Sequence, residues 1–406
     1  MAPTTTRRRV LFTLQPGDGH LPPMLPLSRA LRAAGHEVVF ATSPAFVSRV
    51  EEVGERAVPA GRGWLLSDGP SQPAEPRYPG ERPPTFFARL FLGEVAAGMA
   101  DDLLDIVDDL APDVIVRDPV EFAGAAVAVR RGVPLATFEL TFPLDHHVMT
   151  TTGDLHDDAE LQRLRDRVGL PPSPDPDWFL GQLQIGTFPA GYGEPAEPHG
   201  QRLTIGAHTQ APPATAPVPS WLEGLDDAVY VTFGTVFARA FPEVLTAAAV
   251  GASRVGAPTV VSTGNVEPPV GLAATGEAAL RVERFVPQDA VLRRCAAAVI
   301  HGGTGTTLGA LAHGVPVVVI PLGADHGGHA RAVTTHGAGI VLHRDGLSAE
   351  DVTRAVQQVL DDPSYRAAAE RLGRQLAALP GPEFAVRALE TLSAATVRSR
   401  QGRPGG

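Results

Sequence analysis

Residues 301–307 read His-Gly-Gly-Thr-Gly-Thr-Thr, directly after an apolar run and directly before an Ala/Leu-rich stretch. When a β-strand passes through glycines into an α-helix, the first free N–H groups of the helix point at a ligand and the helix dipole favours an anion. The imidazole of His301 and the hydroxyls of Thr304, Thr306 and Thr307 add hydrogen-bond donors for phosphate oxygens. The pattern predicts a diphosphate site, although a plain glycine-rich turn has the same spacing. It is not a P-loop, because no Gly-Lys-Ser/Thr sequence follows.

Two further patterns resemble metal sites. Asp175-Pro-Asp177 has the Asp-x-Asp form of metal-dependent transferases, but it lies in a proline-rich segment and is interpreted as a turn. His326 and His329 have a spacing that could hold a metal ion, but the sequence indicates no third ligand, and exposed loop histidines are the main alternative. We therefore predict no metal site. A serine hydrolase is not indicated either, because no Gly-x-Ser-x-Gly sequence occurs.

Short β-branched apolar runs alternate with longer Ala/Leu/Arg-rich stretches along the chain. This alternation predicts an α/β fold with parallel, doubly wound sheets. The predicted strands are Val10–Gln15, Glu37–Thr42, Asp113–Arg117, Leu135–Phe138, Gln182–Thr187, Val229–Phe233, Thr259–Ser262, Leu280–Phe285, Ala298–Ile300 and Val317–Ile320. The predicted helices are Leu25–Ala34, Thr85–Leu110, Pro242–Val255, Thr306–His313, Ala330–Gly337, Ala349–Leu360 and Pro382–Val397. Proline-rich surface loops are predicted over 69–84 and 171–177.

The length of 406 residues predicts at least two domains. The segment Ala207–Ser220 is rich in proline, which excludes regular structure, and it is predicted to be the linker. We therefore expect an N-terminal domain over residues 1–206, a linker over 207–220, a C-terminal domain over 221–381 and a last helix over 382–398.

The composition excludes several classes of protein. The formal net charge is -11, and an acidic chain argues against nucleic-acid binding, which needs a basic face. Cys295 is the only cysteine, so no intrachain disulfide can form, which is typical of a cytoplasmic protein. The apolar run Val10–Leu14 is too short for a signal peptide or a membrane helix, and no later run is long enough, so we expect no membrane anchoring.

The segment at 301–307, Gly314-Val-Pro, Pro321, Asp325 and Phe285-Val-Pro-Gln288 together resemble the donor-binding signature of family 1 glycosyltransferases. Bacterial antibiotic glycosyltransferases, the calicheamicin-type dTDP-sugar transferases among them, are the most similar group, and the resemblance covers nearly the whole chain. It implies the GT-B fold, in which two Rossmann-like, doubly wound parallel-sheet domains face a cleft. It also implies that the N-terminal domain binds the acceptor, that the C-terminal domain binds the nucleotide-sugar, and that the last helix returns to the N-terminal domain.

The resemblance implies a role for each matching residue in donor binding. Phe285 would pack near the pyrimidine base, although a strand end before Pro287 at a helix start would look the same. Phe233-Gly234-Thr235 would supply a second phosphate contact or be an ordinary tight turn. Asp325 would accept hydrogen bonds from the donor sugar. The full implied donor-binding set is Phe233, Gly234, Thr235, Phe285, Val286, Gln288, His301, Gly302, Gly303, Thr304, Gly305, Thr306, Thr307, Asp325 and His326.

Three positions depart from the family pattern. Gly309 stands where the family usually has an acidic residue that holds the ribose hydroxyls. A deoxyribose has no 2′-OH, so its binding does not depend on that acceptor. We therefore predict a preference for dTDP-sugars over UDP-sugars. His326 replaces a common glutamine and His329 a common asparagine, which suits a modified or deoxy sugar.

The resemblance places the general base at His20 and its orienting carboxylate at Asp118. An imidazole that titrates near neutral pH suits removal of a hydroxyl proton, and a carboxylate would fix its tautomer. An exposed residue at a helix start is the alternative for His20, and a helix N-cap before Pro119 is the alternative for Asp118. Asp18 is a second candidate base. Gly17 and Gly19 hint at a dinucleotide fingerprint, but Pro22 replaces its third glycine.

These observations predict an inverting, metal-independent glycosyltransferase that needs no cofactor and moves a sugar from an NDP-sugar to a hydroxyl of a small natural product. The expected partners are the small-molecule acceptor and the nucleotide-sugar donor, and a homodimer is compatible with the sequence. A nucleotide-sugar epimerase or hydrolase is one alternative, and would consume donor without acceptor. A non-catalytic helper of the same fold is another, and retention of both His20 and Asp118 argues against it.

Overall fold

The computed structural model describes residues 6–63, 89–142, 158–193, 200–206, 219–264, 267–269, 272 and 280–401. The chain divides into two compact units, of which the first takes residues 1–187, 194–207 and 380–406 and the second takes 188–193 and 208–379. The second unit therefore includes residues 188–193, which our predicted boundaries place in the N-terminal domain. Of the predicted linker, residues 207–218 lie outside the described residues, as do the predicted loop over 69–84 and the first four residues of the helix predicted to begin at Thr85.

The first unit is built on a sheet of seven parallel strands in the order β3-β2-β1-β4-β5-β6-β7. Its strands are β1 (Arg9–Thr13), β2 (Glu37–Thr42), β3 (Ala57–Pro59), β4 (Val114–Arg117), β5 (Leu135–Glu139), β6 (Leu183–Gly186) and β7 (Gln201–Thr204). Val10 of β1 pairs with Val38 of β2 on one side and with Val114 of β4 on the other. The winding therefore reverses between β1 and β4, and in such sheets ligands bind beyond the carboxyl ends at this point.

Helices cover both faces of the first sheet. They are α1 (Leu21–Ala33), α2 (Val47–Glu52), α3 (Ala96–Leu110), which follows a π-helical turn at Arg89–Val95, α4 (Ala123–Arg131) and α5 (Asp158–Arg167). Because side chains alternate along a strand, neighbouring residues of β1 enter different cores. Leu11 packs in the cluster that contains Leu103 and Val127, whereas Phe12 packs in the cluster that contains Leu27 and Leu389.

The second unit repeats this plan with six parallel strands in the order β10-β9-β8-β11-β12-β13. Its strands are β8 (Ala228–Thr232), β9 (Thr259–Ser262), β10 (Leu280–Glu283), β11 (Cys295–Ile300), β12 (Val317–Val319) and β13 (Gly339–Val341). Here the winding reverses between β8 and β11, which pair through Ile300 and Thr232. The predicted phosphate motifs after Thr232 and after Ile300 thus follow the two strands at the reversal.

The helices of the second unit are α6 (Gly234–Ala240), α7 (Pro242–Ser253), α8 (Gln288–Leu292), α9 (Thr304–Ala312), α10 (His326–His336), α11 (Ala349–Asp361) and α12 (Pro363–Ala377). Val229 of β8 packs with α7 and α11, and the next residue, Tyr230, packs with α8 and α10 on the opposite face. The described helices include none that is both long and apolar enough to cross a membrane.

Every predicted strand is present, and Glu37–Thr42 and Thr259–Ser262 have the predicted bounds. The strands that the sequence analysis did not predict are β3, β7 and β13, and each lies at the edge of its sheet. Edge strands are short and partly solvent-exposed, so their sequences lack a long apolar run. The predicted helices also did not include α2, α4, α5, α6, α8 or α12.

Helix α1 begins at Leu21, one turn earlier than the predicted Leu25–Ala34. Pro22 and Pro23 fall in its first turn, where backbone N–H groups have no intrahelical acceptor and proline is tolerated. This early start makes His20 the residue at the N-cap of the helix.

The C-terminal helix runs from Glu383 to Gln401, which is slightly longer than predicted, and belongs to the first unit. Ala385, Val386 and Leu389 are buried in the same core as Leu27 of α1. Nε2 of His36 lies 3.1 Å from a carboxylate oxygen of Glu390. Apolar burial and one hydrogen bond therefore hold this helix against the first sheet.

A buried arginine supports the loop that follows β4. The Arg117 guanidinium is fully buried and donates to the backbone carbonyls of Pro119, at 2.7 Å, and Glu121, at 3.0 Å. It also lies over the rings of Phe122 and Phe179, with its carbon 5.0 Å and 5.6 Å from their centroids. Burial lowers the pKa of Arg117 to about 10, so the group stays charged at neutral pH.

The Glu121 carboxylate shares this buried region and accepts from the Gly124 N–H at 3.0 Å. Burial raises its pKa. A Cβ at Gly124 would lie 2.3 Å from Thr13 Oγ1 and 2.5 Å from Glu121 Oε2, so glycine is required for this close approach. The buried side chains of Arg117 and Glu121 thus hold the loop over residues 117–121 through hydrogen bonds that have no access to water.

We predict that Arg117→Met destabilises the first unit by about 2–4 kcal/mol, because it leaves two buried backbone carbonyls without a donor. Urea unfolding measures the change. The matched control is Arg131→Met, since Arg131 forms a partly exposed ion pair with Asp108, whose loss costs about 0–1 kcal/mol. Equal effects of the two substitutions would contradict a special role for the buried guanidinium.

Candidate active site

His20 and Asp118 meet at the winding reversal of the first sheet. Asp118 directly follows β4, and His20 lies at the N-cap of α1, the helix that follows β1. His20 Nδ1 is 2.5 Å from Asp118 Oδ2. The carboxylate is fully buried, whereas 18% of the His20 side chain is exposed. Since an ionised carboxylate only accepts, the ring proton belongs on Nδ1, and Nε2 is left with a lone pair that can take a proton.

Backbone donors fix the Asp118 carboxylate. Its Oδ1 accepts from the Val120 N–H at 2.8 Å, and its Oδ2 accepts from the Gln15 N–H at 3.2 Å. The alternative interpretation of Asp118 as a helix N-cap is wrong, because α4 begins at Ala123 and has Phe122 at its N-cap. Asp118 instead closes a turn with Val120 and orients the His20 ring with its other oxygen.

The competing base, Asp18, points to a different partner. Its carboxylate lies 3.3 Å from Nε of Arg49 on the protein surface. In this exposed ion pair, the partner of the Asp18 carboxylate is an arginine and not a histidine. The geometry therefore favours His20 as the proton acceptor in this unit.

In the second unit, the strand–glycine–helix turn at 300–304 has the predicted form. Gly302 has a φ of 93°, which other residues rarely adopt, and Gly303 is the extended N-cap residue of α9. The first intrahelical hydrogen bond runs from the Thr307 N–H to the Gly303 carbonyl at 2.9 Å. The N–H groups of the preceding residues, 304–306, therefore lack intrahelical acceptors and form an anion-binding helix start.

The His301 imidazole is packed between two glycines. A Cβ at Gly303 would lie 2.5 Å from His301 Nε2, and one at Gly234 would lie 3.2 Å from the same atom. Side chains at either position would displace the ring, so both glycines are needed to join the turns after β8 and β11. Burial lowers the pKa of His301 to about 4, which makes it a neutral hydrogen-bonding group at neutral pH.

Two of the three threonine hydroxyls that were predicted to bind phosphate have partners within the protein. Thr304 Oγ1 donates to Asp325 Oδ2 at 2.6 Å, and Thr307 Oγ1 donates to the Gly303 carbonyl at 2.9 Å. Both protons are already used within the protein. Thr306 is half-buried in the first turn of α9, and its hydroxyl is the remaining candidate of the three.

Asp325 lies at the N-cap of α10, beside the start of α9. Burial raises its pKa, but the hydrogen bonds from His329 and Thr304 outweigh burial and lower the pKa below its usual value. The group is therefore an ionised carboxylate, able to accept hydrogen bonds.

The alternative interpretation of His326 and His329 as exposed loop residues is wrong, because both are buried in α10. His326 Nδ1 accepts from the Leu322 N–H at 3.2 Å, and its ring lies edge-on to Phe237 at 4.4 Å. Burial lowers its pKa well below the usual value. His326 thus holds the loop between β12 and α10 in place, and its ring carries no charge for a ligand at neutral pH.

No group of three His, Cys, Asp or Glu side chains within the described residues is arranged to hold a metal ion. His329 already directs one nitrogen to Tyr192 and the other to Thr304. Both ring nitrogens of His329 and Nδ1 of His326 therefore have partners within the protein.

The predicted base-binding residues differ in exposure. Phe285 has 62% of its surface exposed, which is unusual for a large apolar residue, whereas Val286 and Phe233 are buried in the core. Phe285 can therefore present a ring to a ligand, while Val286 and Phe233 can contribute only backbone groups. Gly234 adopts a φ of 66° after β8, and Thr235 is half-buried beside it.

Gln288 occupies the space beside Gly309. Its Nε2 donates to the Gly305 carbonyl at 3.2 Å, across the start of α9. A Cβ at Gly309 would lie only 2.5 Å from that Nε2. The absence of a side chain at Gly309 therefore lets the Gln288 amide lie against the helix.

Sequence comparison supports the resemblance. Residues 271–392 match the family described as erythromycin biosynthesis protein CIII-like, C-terminal domain. The chain is 34% identical to 4′-demethylrebeccamycin synthase of Lentzea aerocolonigenes, over 95% of this chain and 99% of that protein. It is 30% identical to aklavinone 7-β-L-rhodosaminyltransferase of Streptomyces galilaeus, over 98% of both chains.

Solved structures show the same architecture. Spinosyn forosaminyltransferase SpnP superposes with a TM-score of 0.78 at 25% identity, covering 96% of this chain and all of that one (100%). The glycosyltransferase VinC, solved in complex with dTDP, superposes with a TM-score of 0.76 at 25% identity, covering 95% of this chain and 100% of VinC. Two parallel sheets of seven and six strands are the GT-B architecture. The chain therefore belongs to the family of GT-B glycosyltransferases that act in antibiotic and natural-product biosynthesis.

Proposed function

We propose that this chain transfers a sugar, with inversion at the anomeric carbon, from a dTDP-sugar to a hydroxyl of a small natural-product acceptor. The observation that carries the proposal is the 2.5 Å contact between His20 Nδ1 and the buried Asp118 carboxylate. In a glycosyltransferase, a histidine oriented in this way is suited to accept the proton of an attacking alcohol.

His20 would act through Nε2. As the acceptor oxygen attacks, its proton passes to Nε2, and the resulting imidazolium is stabilised by the Asp118 carboxylate through Nδ1. One C–O bond forms at the anomeric carbon while the bond to the diphosphate breaks on the opposite side. A single displacement of this kind inverts the configuration, which NMR of the product would report.

The leaving diphosphate would be stabilised by hydrogen-bond donors at the start of α9. The N–H groups of residues 304–306 and the hydroxyl of Thr306 lie there, and Gly234 and Thr235 follow the neighbouring strand β8. Donors that are fixed before the reaction stabilise charge that develops in the transition state. His301, being neutral, would contribute a hydrogen bond rather than a positive charge.

Asp325 would bind hydroxyls of the donor sugar, because it is ionised and lies directly beside this helix start. Phe285 would stack against the nucleotide base through its exposed ring. Since backbone dipoles and neutral donors stabilise the diphosphate in this scheme, neither a divalent cation nor a cofactor is required.

The preference for dTDP is proposed from Gly309. A carboxylate at that position would provide an acceptor for a ribose 2′-OH, and glycine provides none. Gln288 fills the space instead. The dTDP complex of VinC, a structural relative, is consistent with this preference.

We predict that His20→Ala lowers kcat by about 10²- to 10⁴-fold, the usual contribution of general base catalysis. The measurement is the rate of dTDP release with donor and acceptor present. Asp118→Asn should lower the rate as well, because an amide can no longer hold the productive tautomer. Asp18→Asn is the matched control and should retain the wild-type rate, since Asp18 pairs with Arg49. A large loss in Asp18→Asn with little change in His20→Ala would reverse the assignment of the base.

We predict that dTDP raises the apparent melting temperature more than UDP does at equal concentration. A ligand at about 100 times its Kd stabilises the native state by about 2.7 kcal/mol. Gly309→Glu should narrow the difference between the melting-temperature increases with dTDP and with UDP. It should improve UDP binding, because it restores an acceptor for the 2′-OH.

The matched control for Gly309→Glu is Gly309→Gln, which displaces the Gln288 amide in the same way but adds no charge. If the two variants change the dTDP and UDP responses equally, displacement of Gln288 and not the missing carboxylate sets the preference.

We predict that transfer continues at the wild-type rate in the presence of EDTA, because diphosphate stabilisation in this scheme comes from backbone and side-chain donors. The check is the initial rate before and after exhaustive chelation, with and without added Mg²⁺. A rate that vanishes on chelation and returns with Mg²⁺ would refute the metal-independent scheme.

A further inference from the structure

A short segment from the middle of the chain packs against α10. Residues 188–193 follow β6 in sequence but belong to the second unit. Phe188 and Tyr192 stack on each other with ring centroids 5.8 Å apart, and Tyr192 stacks on His336 at the same distance. The Gly191 carbonyl lies 3.1 Å from Nε2 of His336. The Phe188 ring and the His336 ring at the end of α10 therefore fix the position of Tyr192.

Tyr192 begins a row of hydrogen-bonded side chains. Its hydroxyl lies 3.2 Å from Nδ1 of His329, and Nε2 of the same ring lies 2.9 Å from Thr304 Oγ1. Thr304 Oγ1 in turn lies 2.6 Å from Asp325 Oδ2. Tyr192 is 2% exposed and His329 is 0% exposed, so water cannot replace these contacts.

The direction of each hydrogen bond follows from the last member. A carboxylate can only accept, so the Thr304 hydroxyl donates its single proton to Asp325. Thr304 must then accept from His329, which places a proton on Nε2. With its ring proton on Nε2, His329 accepts at Nδ1 from Tyr192. Burial raises the pKa of Tyr192, so the phenol keeps the proton that it donates.

We propose that Tyr192 and His329 are positioning residues that fix the Asp325 carboxylate for recognition of the donor sugar. They act through successive hydrogen bonds from Tyr192 to His329, from His329 to Thr304 and from Thr304 to Asp325. The proposal deepens the proposed function and rests on the role given there to Asp325. His329 is essential to the row because imidazole can accept on one side and donate on the other.

The row leaves one carboxylate oxygen for a ligand. Both contacts of Asp325, with Thr304 at 2.6 Å and with His329 at 3.5 Å, involve Oδ2. Within the described residues, no side chain donates a hydrogen bond to Oδ1 of Asp325. With Oδ2 held, the carboxylate cannot rotate freely, and Oδ1 is presented in one direction to the sugar hydroxyls.

The row also gives the Thr304 hydroxyl a role, which is to hold Asp325. Thr304 is the first residue of α9, so it joins the anion-binding helix start to Asp325. The hydroxyl of Thr304 is used by Asp325, whereas its N–H belongs to the helix start. Loss of the hydrogen bonds to Asp325 should therefore leave the diphosphate donors in place.

The test compares binding of dTDP with binding of dTDP-glucose and dTDP-rhamnose by calorimetry. The sugar that the wild type binds more tightly than dTDP serves as the probe. Tyr192→Phe should weaken binding of that probe by about twofold to thirtyfold, the range expected for a residue that acts on a binding site without touching the ligand. Binding of dTDP itself should stay within about twofold, because an intact helix start still binds the diphosphate.

The matched control is Tyr365→Phe, which removes a phenolic hydroxyl from α12 of the same unit, where it accepts from Gln358 at 3.0 Å. It should leave both affinities unchanged. His329→Gln retains an N–H near the position of Nε2, whereas His329→Asn does not reach Thr304. Gln should therefore preserve sugar binding better than Asn, even if Tyr192→Phe folds poorly.

A spectroscopic measurement separates positioning from a general structural role. Selective ¹⁵N-histidine labelling reports the 13 histidines, and the resonance missing in His329→Gln assigns His329. The wild type should show an unprotonated Nδ1 and a protonated Nε2, and Tyr192→Phe should shift the Nδ1 resonance.

The proposal would be overturned by a protonated Nδ1 in the wild type, by unchanged His329 resonances in Tyr192→Phe, or by equal loss of dTDP and sugar-nucleotide binding. A wild type that binds neither sugar nucleotide more tightly than dTDP would also overturn it. Binding of dTDP in that case would still support the proposed donor site, whereas no binding of dTDP would contradict the proposed function itself.

Discussion

A parallel sheet leaves unpaired backbone groups at the carboxyl ends of its strands, and in this protein both candidate sites lie where the winding direction reverses. In the first unit the reversal separates β1 from β4, and it brings His20 next to Asp118. In the second it separates β8 from β11, and it brings the turn at Gly234 next to the turn at His301. The same topological constraint thus organises a proton acceptor in one unit and an anion-binding helix start in the other.

Buried polar groups keep these strand ends in place. Burying a polar group without a partner costs free energy, so each such group specifies the positions of its neighbours. Arg117 holds the carbonyls of the loop that carries Asp118, and the His301 ring requires glycine on both sides. Asp325 is held in the same manner by Thr304. The groups that would touch substrate are therefore held in place by buried polar contacts within the protein.

Much of this arrangement could be predicted from the sequence. The alternation of apolar strands and helices indicated two doubly wound sheets, and the glycines at 302 and 303 indicated the strand-to-helix turn. Three edge strands, β3, β7 and β13, were missed because they are short and only partly buried. Local spacing could not reveal partners distant in sequence: Thr304 looked like a phosphate ligand because the carboxylate that takes its proton lies 21 positions later. Tyr192 and Arg117 gave no signal, since only the folded chain surrounds them with acceptors.

In the proposed function, main-chain amides at the start of α9 bind the diphosphate. A titration of the ²H,¹⁵N-labelled protein with dTDP, followed through backbone amide resonances, tests this binding directly. We expect saturable shifts that are largest at the amides of residues 304–306, with smaller shifts at Gly234 and Thr235 and much weaker changes when thymidine replaces dTDP. Saturable shifts centred elsewhere, or equal responses to dTDP and thymidine, would contradict it.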